Sequence, residues 1–303
     1  MRQKIIIDTD PAIGYPFRDV DDALAIIYLL AFPDEIECLG ITAVHGNASV
    51  NKTYRKAQEI LRMAGREDIP VFLGAKSRVS LGQETFASTF LKEMARAYPG
   101  EVTVLTIGPL TNIATAGIGD TDFFQNLNRI VMMGGTFKRG IGIPPLSPFE
   151  FNFFKDPIAS EVVLGAPCKK FLISADLCQQ VIFTEDELNG LCGISNRIAG
   201  YLSLRIRPWF DLNRRMPFLP WKEGFVPWDL VAAVFIRKPE IFSQEKRKRL
   251  RLLRGVFYTG ALVEAPEREC PPVSTFDRVD PRVVIEEFLE SVRSFRLGSV
   301  PHH

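Results

Sequence analysis

Apolar positions along this chain fall into short runs that alternate with stretches of helical spacing. Ile5–Ile7 is an uninterrupted apolar triplet, the pattern of a strand buried on both faces. Val20–Leu30 repeats its apolar residues at helical intervals and predicts a helix. The alternation continues with a strand at Glu37–Val44, a helix at Val50–Ala64, and strands at Val71–Leu73 and Val102–Thr106. A helix opens at Leu110–Ala116 after a Gly-Pro turn, and strands follow at Ile130–Met133 and Phe171–Ile173. Strand and helix in alternation predict an α/β fold, a mostly parallel central β-sheet flanked by helices in the Rossmann-like manner. Such sheets bind ligands in the crevice at the carboxyl ends of their strands.

The second half carries a weaker pattern. Ser195–Asp211 and Trp228–Phe235 read as helices, Leu252–Val263 as a strand pair, and Pro281–Phe295 as an amphipathic helix docked on the core. Gln244–Arg251 is a basic run that reads as solvated surface. No repeat or linker-like stretch divides the chain, so residues 1–303 are expected to form a single domain.

Composition narrows the function classes. The chain is 46% hydrophobic and 24% charged, the profile of a soluble protein with a sizeable core. A formal net charge of +1 offers no draw to nucleic acid or to a membrane surface. The five cysteines are odd in number and include no CxxC pair, which favours reduced thiols and a cytoplasmic protein. The N-terminus turns acidic after three apolar residues, unlike a signal peptide, and no apolar run reaches membrane-spanning length.

The informative segment is IIIDTDPAIGYPFRDVDDALAII. Asp8 and Asp10 end the first strand; Asp19, Asp21 and Asp22 begin the following helix. Five carboxylates this close repel one another unless something neutralises them. A helix dipole helps, and Asp19 read as a simple cap would make the segment ordinary helix-start chemistry. A bound cation would do more, and carboxylates without His or Cys select a hard ion, Ca²⁺ or Mg²⁺. The spacing is not that of an EF-hand, and a DxD after a first strand also occurs in aspartyl-phosphate phosphatases.

Further blocks decide among these readings. Asp8-Thr9-Asp10-Pro11 and Asp21-Asp22-Ala23, with an expanded loop between them, resemble the D-x-D-P-G-x-D-D-A hallmark of the inosine-uridine-preferring nucleoside hydrolase family. His45-Gly46-Asn47 resembles the family's V-x-G-N block, Thr106–Ala114 its G-P-L-T-N-I-A block, and Val131–Gly135 its L-M-G-G block. Glu150–Pro157 resembles E-F-N-x-x-x-D-P, and Asp229 stands where the family has its late metal-binding Asp. Any one block is weak, but in order they span nearly the whole chain. The resemblance implies the nucleoside hydrolase fold and cleavage of the N-glycosidic bond of a small-molecule ribonucleoside. It implies Ca²⁺ held by Asp10, Asp22, Asp229 and the backbone carbonyl of Ile107, and Asp10 as general base. It implies ribose contacts from Asp21, Asn47, Glu150 and Asn152, with Met133 packed beside the sugar. A homodimer or homotetramer is expected on the same ground.

The chemistry needs these groups. Glycosidic hydrolysis passes through an oxocarbenium-like transition state, so it requires an activated water, negative charge near the sugar, and help for the departing base. On the base side the chain departs from pyrimidine-accepting relatives, which place a His before the late Asp. Here the position is Trp228, as in purine-specific relatives, which implies stacking on a purine. Trp209, Trp221 and Trp228 lie close in sequence and suggest an aromatic wall. The family's His-Gly element is absent from Gly74–Thr89. Its Gly-Asn pair is absent from Thr136–Phe149, a longer stretch here. His45, the lone internal histidine, reads as structural beside Gly46 or as an acid near the site. Beside a nucleoside hydrolase that leans to purines stand two alternatives, a hydrolase of another N-ribosyl compound and a calcium- and nucleoside-binding protein whose catalysis has decayed.

Overall fold

The first strand shows how the fold is held. In β1 (Gln3–Thr9), Ile5 and Ile7 point into one hydrophobic cluster and Ile6 into another, and all three are fully buried. Each contributes on the order of 1.5–3 kcal/mol of apolar burial. A strand covered on both faces needs helices on both sides of its sheet, and the computed structural model has that arrangement. It describes residues 2–138, 149–216, 219, 221–253, 259–266 and 270–295.

After β1 come α1 (Asp21–Leu30), β2 (Ile36–Ala43), α2 (Val50–Ala64), β3 (Val71–Leu73), α3 (Phe86–Ala97), β4 (Thr103–Thr106), α4 (Thr111–Gly119) and β5 (Arg129–Met133). Then follow α5 (Phe151–Lys155), α6 (Pro157–Leu164), β6 (Lys170–Ile173), α7 (Ala175–Cys178), β7 (Phe183–Thr184), α8 (Glu185–Cys192), α9 (Arg197–Arg215) and β8 (Gly224–Phe225). The chain continues with α10 (Trp228–Arg237), β9 (Phe242–Lys248), β10 (Leu250–Leu252), β11 (Leu262–Glu264), β12 (Val273–Val279) and α11 (Pro281–Ser294).

The main sheet has eight strands in the order β3-β2-β1-β4-β5-β6-β12-β9. Every pairing is parallel except β12 with the edge strand β9. The order runs outward from β1 to β3 and then returns to place β4 on the other side of β1. That reversal opens a crevice between the carboxyl ends of β1 and β4, where α/β sheets hold their ligands. Asp10 lies just past the end of β1 and Ile107 just past the end of β4, with the Ile107 N–H donating to the Asp8 carbonyl at 2.8 Å.

The expected elements of the first half are present with ends shifted by one or two residues, apart from the longer α4. The second half differs more. The basic run at Gln244–Arg251 is solvated as expected, but most of it belongs to β9, whose side chains from Ser243 to Arg247 are exposed. An edge strand bearing charge is protected from pairing with other chains, so polarity hid the strand. The strand pair expected over Leu252–Val263 is β10 with β11, antiparallel, and its residues 254–258 lie outside the described residues. The α9 helix runs on to Arg215 through Pro208, and β12, α3, α6 and α8 had no counterpart in the pattern. Among the described residues no helix is long and apolar enough to cross a membrane.

Candidate active site

All ten residues of α1 are buried, including Asp21 and Asp22 in its first turn. The helix is wedged against the sheet and α10, whose own first turn carries Asp229, 4% exposed. Two helix N-termini therefore converge on the end of β1, and their dipoles favour negative charge there. Oxygens of Asp21, Asp22 and Asp229 lie within 4.8 Å of one another, and the Asp229 N–H donates to Asp21 Oδ2 at 3.2 Å. Asp10, fully buried, joins them through its N–H, which donates to Asp22 Oδ1 at 3.0 Å.

Asp10 is tied on one side only. Its Oδ2 accepts from the Asn47 N–H, while its Oδ1 is buried and has no hydrogen-bond partner. Glycine at position 46 permits this approach, since a Cβ there would stand 1.9 Å from Asp10 Oδ2. The Asn47 side chain donates to Asp22 Oδ2 at 3.3 Å, and the Thr9 hydroxyl donates to Asp22 Oδ1.

No lysine or arginine among the described residues forms an ion pair with Asp10, Asp21, Asp22 or Asp229. Burial, reinforced by the neighbouring carboxylates, pushes all four well up, Asp22 to about 7. Uncompensated buried carboxylates are costly unless a cation is shared among them. An all-oxygen donor set with an orphaned carboxylate oxygen suits a hard metal ion. The Ile107 carbonyl adds a further oxygen to the cavity lining and is held by Asn152 Nδ2 at 3.3 Å.

Around this floor lies a cavity of about 220 Å³, smaller than the roughly 300–1,000 Å³ typical of drug-sized ligands and suited to one small molecule. Asp21, Asn47, Ile107, Met133, Glu150, Asn152, Trp228 and Asp229 all line it. Asp10 and Asp22 lie beneath. Glu150 also has a structural task. It is the buried N-cap of α5, accepting N–H bonds from Asn152 (2.7 Å), Phe153 (2.9 Å) and Gly135 (2.8 Å). Burial nonetheless pushes its carboxyl up to about 6. Asn152 Nδ2 also donates to the Met133 carbonyl at 3.3 Å, so one amide joins the ends of β4 and β5.

Other motif residues turn out to be braces. Asp8 accepts from Thr42 (2.6 Å) and Asn112 (2.8 Å), locking β1 to β2 and α4. Asp156 caps α6 through the Ala159 N–H at 3.0 Å, with Pro157 in the first turn, as an Asp-Pro start suggests. The Thr111 hydroxyl donates to Asp156 at 2.7 Å, so it must accept from His45 Nε2 at 3.1 Å. Burial lowers His45 to about 4, which keeps it neutral near pH 7, and it does not line the cavity. That favours the structural reading of His45 over the acid.

The same cavity is also lined by Phe17, Arg18, Asp19, Trp209 and Trp228, which form its rim. Trp221 is not part of it; it packs edge-on behind Trp228, centroids 5.4 Å apart at 76°. Asp19 is not the cap of α1. The cap position is Val20, without a side-chain bond, and Asp19 is turned to the cavity beside Asp21.

A sequence profile of the inosine-uridine preferring nucleoside hydrolases matches residues 5–286. The chain belongs to that family. It is 34% identical over 239 residues to a probable uridine nucleosidase 2 of Arabidopsis thaliana, covering 70% of this chain and 71% of the relative. It is 29% identical over 273 residues to the pyrimidine-specific ribonucleoside hydrolase RihA of Shewanella baltica, covering 81% of each. A solved plant nucleoside hydrolase, PpNRh1, superposes with a TM-score of 0.85 at 25% identity, over 97% of this chain and 99% of that one. A purine-preferring ribonucleoside hydrolase from Gardnerella vaginalis shares the fold with a TM-score of 0.83 at 19% identity, over 97% of this chain and 99% of that one.

In this nucleoside hydrolase, an N-ribosyl hydrolase, a loop joins Asp10 to Asp21 at the mouth of the cavity. Two successive turns form it, with the Tyr15 N–H donating to the Ala12 carbonyl (3.0 Å) and the Arg18 N–H to the Tyr15 carbonyl (3.3 Å). The third position of each is left-handed, with Gly14 at φ 84° in the first and Phe17 at φ 59° in the second. For phenylalanine that backbone costs on the order of 1–2 kcal/mol. Sequence patterns gave no sign of Phe17 or Arg18 as lining residues, because only the turns aim them at the cleft. The longer stretch Thr136–Phe149 falls largely outside the described residues, from 139 to 148.

Proposed function

We propose that this nucleoside hydrolase cleaves ribonucleosides to ribose and free base with a bound Ca²⁺, leaning to purine nucleosides. The observation that carries the reading is the set of four buried carboxylates at the sheet crevice, none of which is ion-paired to a lysine or arginine among the described residues. Asp10, Asp22, Asp229 and the Ile107 carbonyl would hold the ion. When bound, it would orient the attacking water and lower its pKa.

The chain's own residues supply the rest. Asp10 Oδ1, free of hydrogen bonds, accepts the proton of the water that attacks the anomeric carbon. As the C1′–N bond breaks, its electron pair leaves with the base. Positive charge developing on the ribose is stabilised by the surrounding carboxylates. Asp21, Asn47, Glu150 and Asn152 bind the ribose hydroxyls, and a sugar lacking one would leave a buried group unpaired. Met133 packs against the sugar face. Trp228, with Trp209 beside it in the lining, stacks on the base and favours a positively charged ring on the leaving group.

A second reading favours pyrimidines, because the relatives quoted above at 34% and 29% identity carry uridine and pyrimidine names. Both are tested by free-ribose release from inosine, adenosine, guanosine, uridine, cytidine and nicotinamide riboside, with and without a calcium chelator. Chelator-sensitive release supports the hydrolase, and the fastest substrate decides the base. Release that survives chelation overturns the calcium assignment. No release from any substrate favours a decayed binder.

A further inference from the structure

Phe17 is unfavourable twice over for the stability of the free protein. The residue is 78% exposed, and it holds a left-handed position where a turn with Pro16 before it would ordinarily take glycine. The loop that carries it is well seated on either side. Ala12, Ile13 and Val20 are buried, and Gly14 lies against Arg205 of α9 so closely that a Cβ there would meet the Arg205 side chain at 3.4 Å. The Tyr15 ring sits beneath the ammonium groups of Lys52 (5.4 Å) and Lys56 (5.0 Å). A tethered loop that projects one strained, exposed ring at the mouth of the catalytic cavity has that ring placed for a ligand.

The rim already supplies Trp209 and Trp228, and Phe17 lines the same cavity with them. It also lines the adjoining surface groove with Tyr15, Arg205 and Pro208, so it stands at the border between cavity and solvent. We propose that Phe17 is a specificity-determining residue that closes on the nucleobase, completing with Trp228 an aromatic slot for the leaving group. The ligand it recognises is a planar aromatic base joined to ribose, and the ribose itself is left to the acidic floor. The inference rests on the nucleoside-hydrolase reading of the cavity and adds the residue that grips the base.

The test is equilibrium binding of a C-nucleoside such as formycin B, whose carbon–carbon glycosidic bond does not hydrolyse. Free D-ribose serves as the base-free control. Calcium-loaded wild type, Phe17→Gly and Phe17→Tyr are compared by calorimetry. Phe17→Gly is expected to weaken the C-nucleoside roughly tenfold, the loss of one aromatic contact, and to leave ribose binding within about twofold. Its melting temperature should equal or exceed that of wild type, since glycine suits the turn, and Phe17→Tyr should bind as wild type does. Unchanged C-nucleoside affinity in Phe17→Gly, or an equal loss for ribose, overturns the slot. If wild type releases ribose from nucleosides in either case, the hydrolase reading stands apart from that result. Absence of C-nucleoside binding to wild type overturns the slot, and the hydrolase reading falls with it only if no nucleoside releases ribose.

Discussion

The floor of the cavity and its rim are built on opposite principles. The floor is made from the ends of β1 and β4 and the first turns of α1 and α10, and its acids are almost wholly buried. Asp10, Asp21 and Asp22 accept hydrogen bonds from backbone or side-chain donors, and one buried oxygen, Asp10 Oδ1, has no partner. The rim is a surface loop and the exposed side of α9, with a ring that is mostly in solvent. Bond-breaking chemistry needs charges fixed in a water-poor place, whereas base recognition needs flat apolar surface that a ligand can enter and leave. Changes in the floor should therefore act on every substrate alike, and changes in the rim should act by base.

The largest effect should come from Asp10→Ala. Turnover is expected to fall by about 10³-fold or more for purine and pyrimidine nucleosides together, in line with loss of a general base that is also a metal ligand. Activity above a few per cent of wild type in a ribose-release assay would remove Asp10 from that role.

The floor also predicts a stability inversion. In chelator, Asp10→Asn relieves repulsion among buried carboxylates and should melt several degrees above wild type. Added calcium should raise wild type but do less for the variant. Scanning calorimetry with and without calcium checks this, and a variant that melts lower in chelator would show that the acids do not strain the apo protein.

At the rim, Trp228→Ala should weaken kcat/KM for inosine about tenfold more than for uridine, if the slot stacks on purines. Equal losses would break the contrast between floor and rim, and a larger loss on uridine would turn the base preference over.

The smallest effect separates the floor from its braces. His45 is held neutral when folded, lowered to about 4 against an ordinary value near 6.5. A depressed histidine binds its proton more readily in the unfolded chain, so the folded state loses stability as pH falls from about 6.5 towards 4. At pH 5.5 the loss is about 1 kcal/mol. His45→Gln, which can still donate to Thr111, should lose less stability between pH 7.5 and pH 5.5 and keep wild-type activity at pH 7.5. A parallel decline in both proteins would free His45 from that account.

Much of this was legible in the sequence because local constraints carried it. Ile5–Ile7 reads as a doubly buried strand because apolar triplets have few other uses, and β1 to β6 follow the same rule. The D-x-D, D-D, E-F-N and W-D residues named as candidates line the cavity or lie directly under it. Local pattern could not foresee that Asp8 and Asn112 would be braces, that Glu150 would be a helix cap, or that Asp19 would turn away from capping. A side chain's task depends on which donors the fold brings to it, and those come from residues about 100 positions away in the case of Asn112 and Asp8. The edge strand β9 was missed because its exposed, charged face lacks the apolar alternation that marks a strand.

By itself, then, the sequence determined the α/β alternation, the parallel core and the residue types of a nucleoside hydrolase floor, since each is written in short-range pattern. Only the tertiary structure decided how the acids share one buried space without an ion-paired lysine or arginine among the described residues, and which tryptophans face the cavity. It also decided that a surface loop brings Phe17 to the mouth of the cavity. The reason is physical: charge repulsion, burial and aromatic stacking are set by distances through space, and those distances exist only once helices and strands far apart in the chain have packed together.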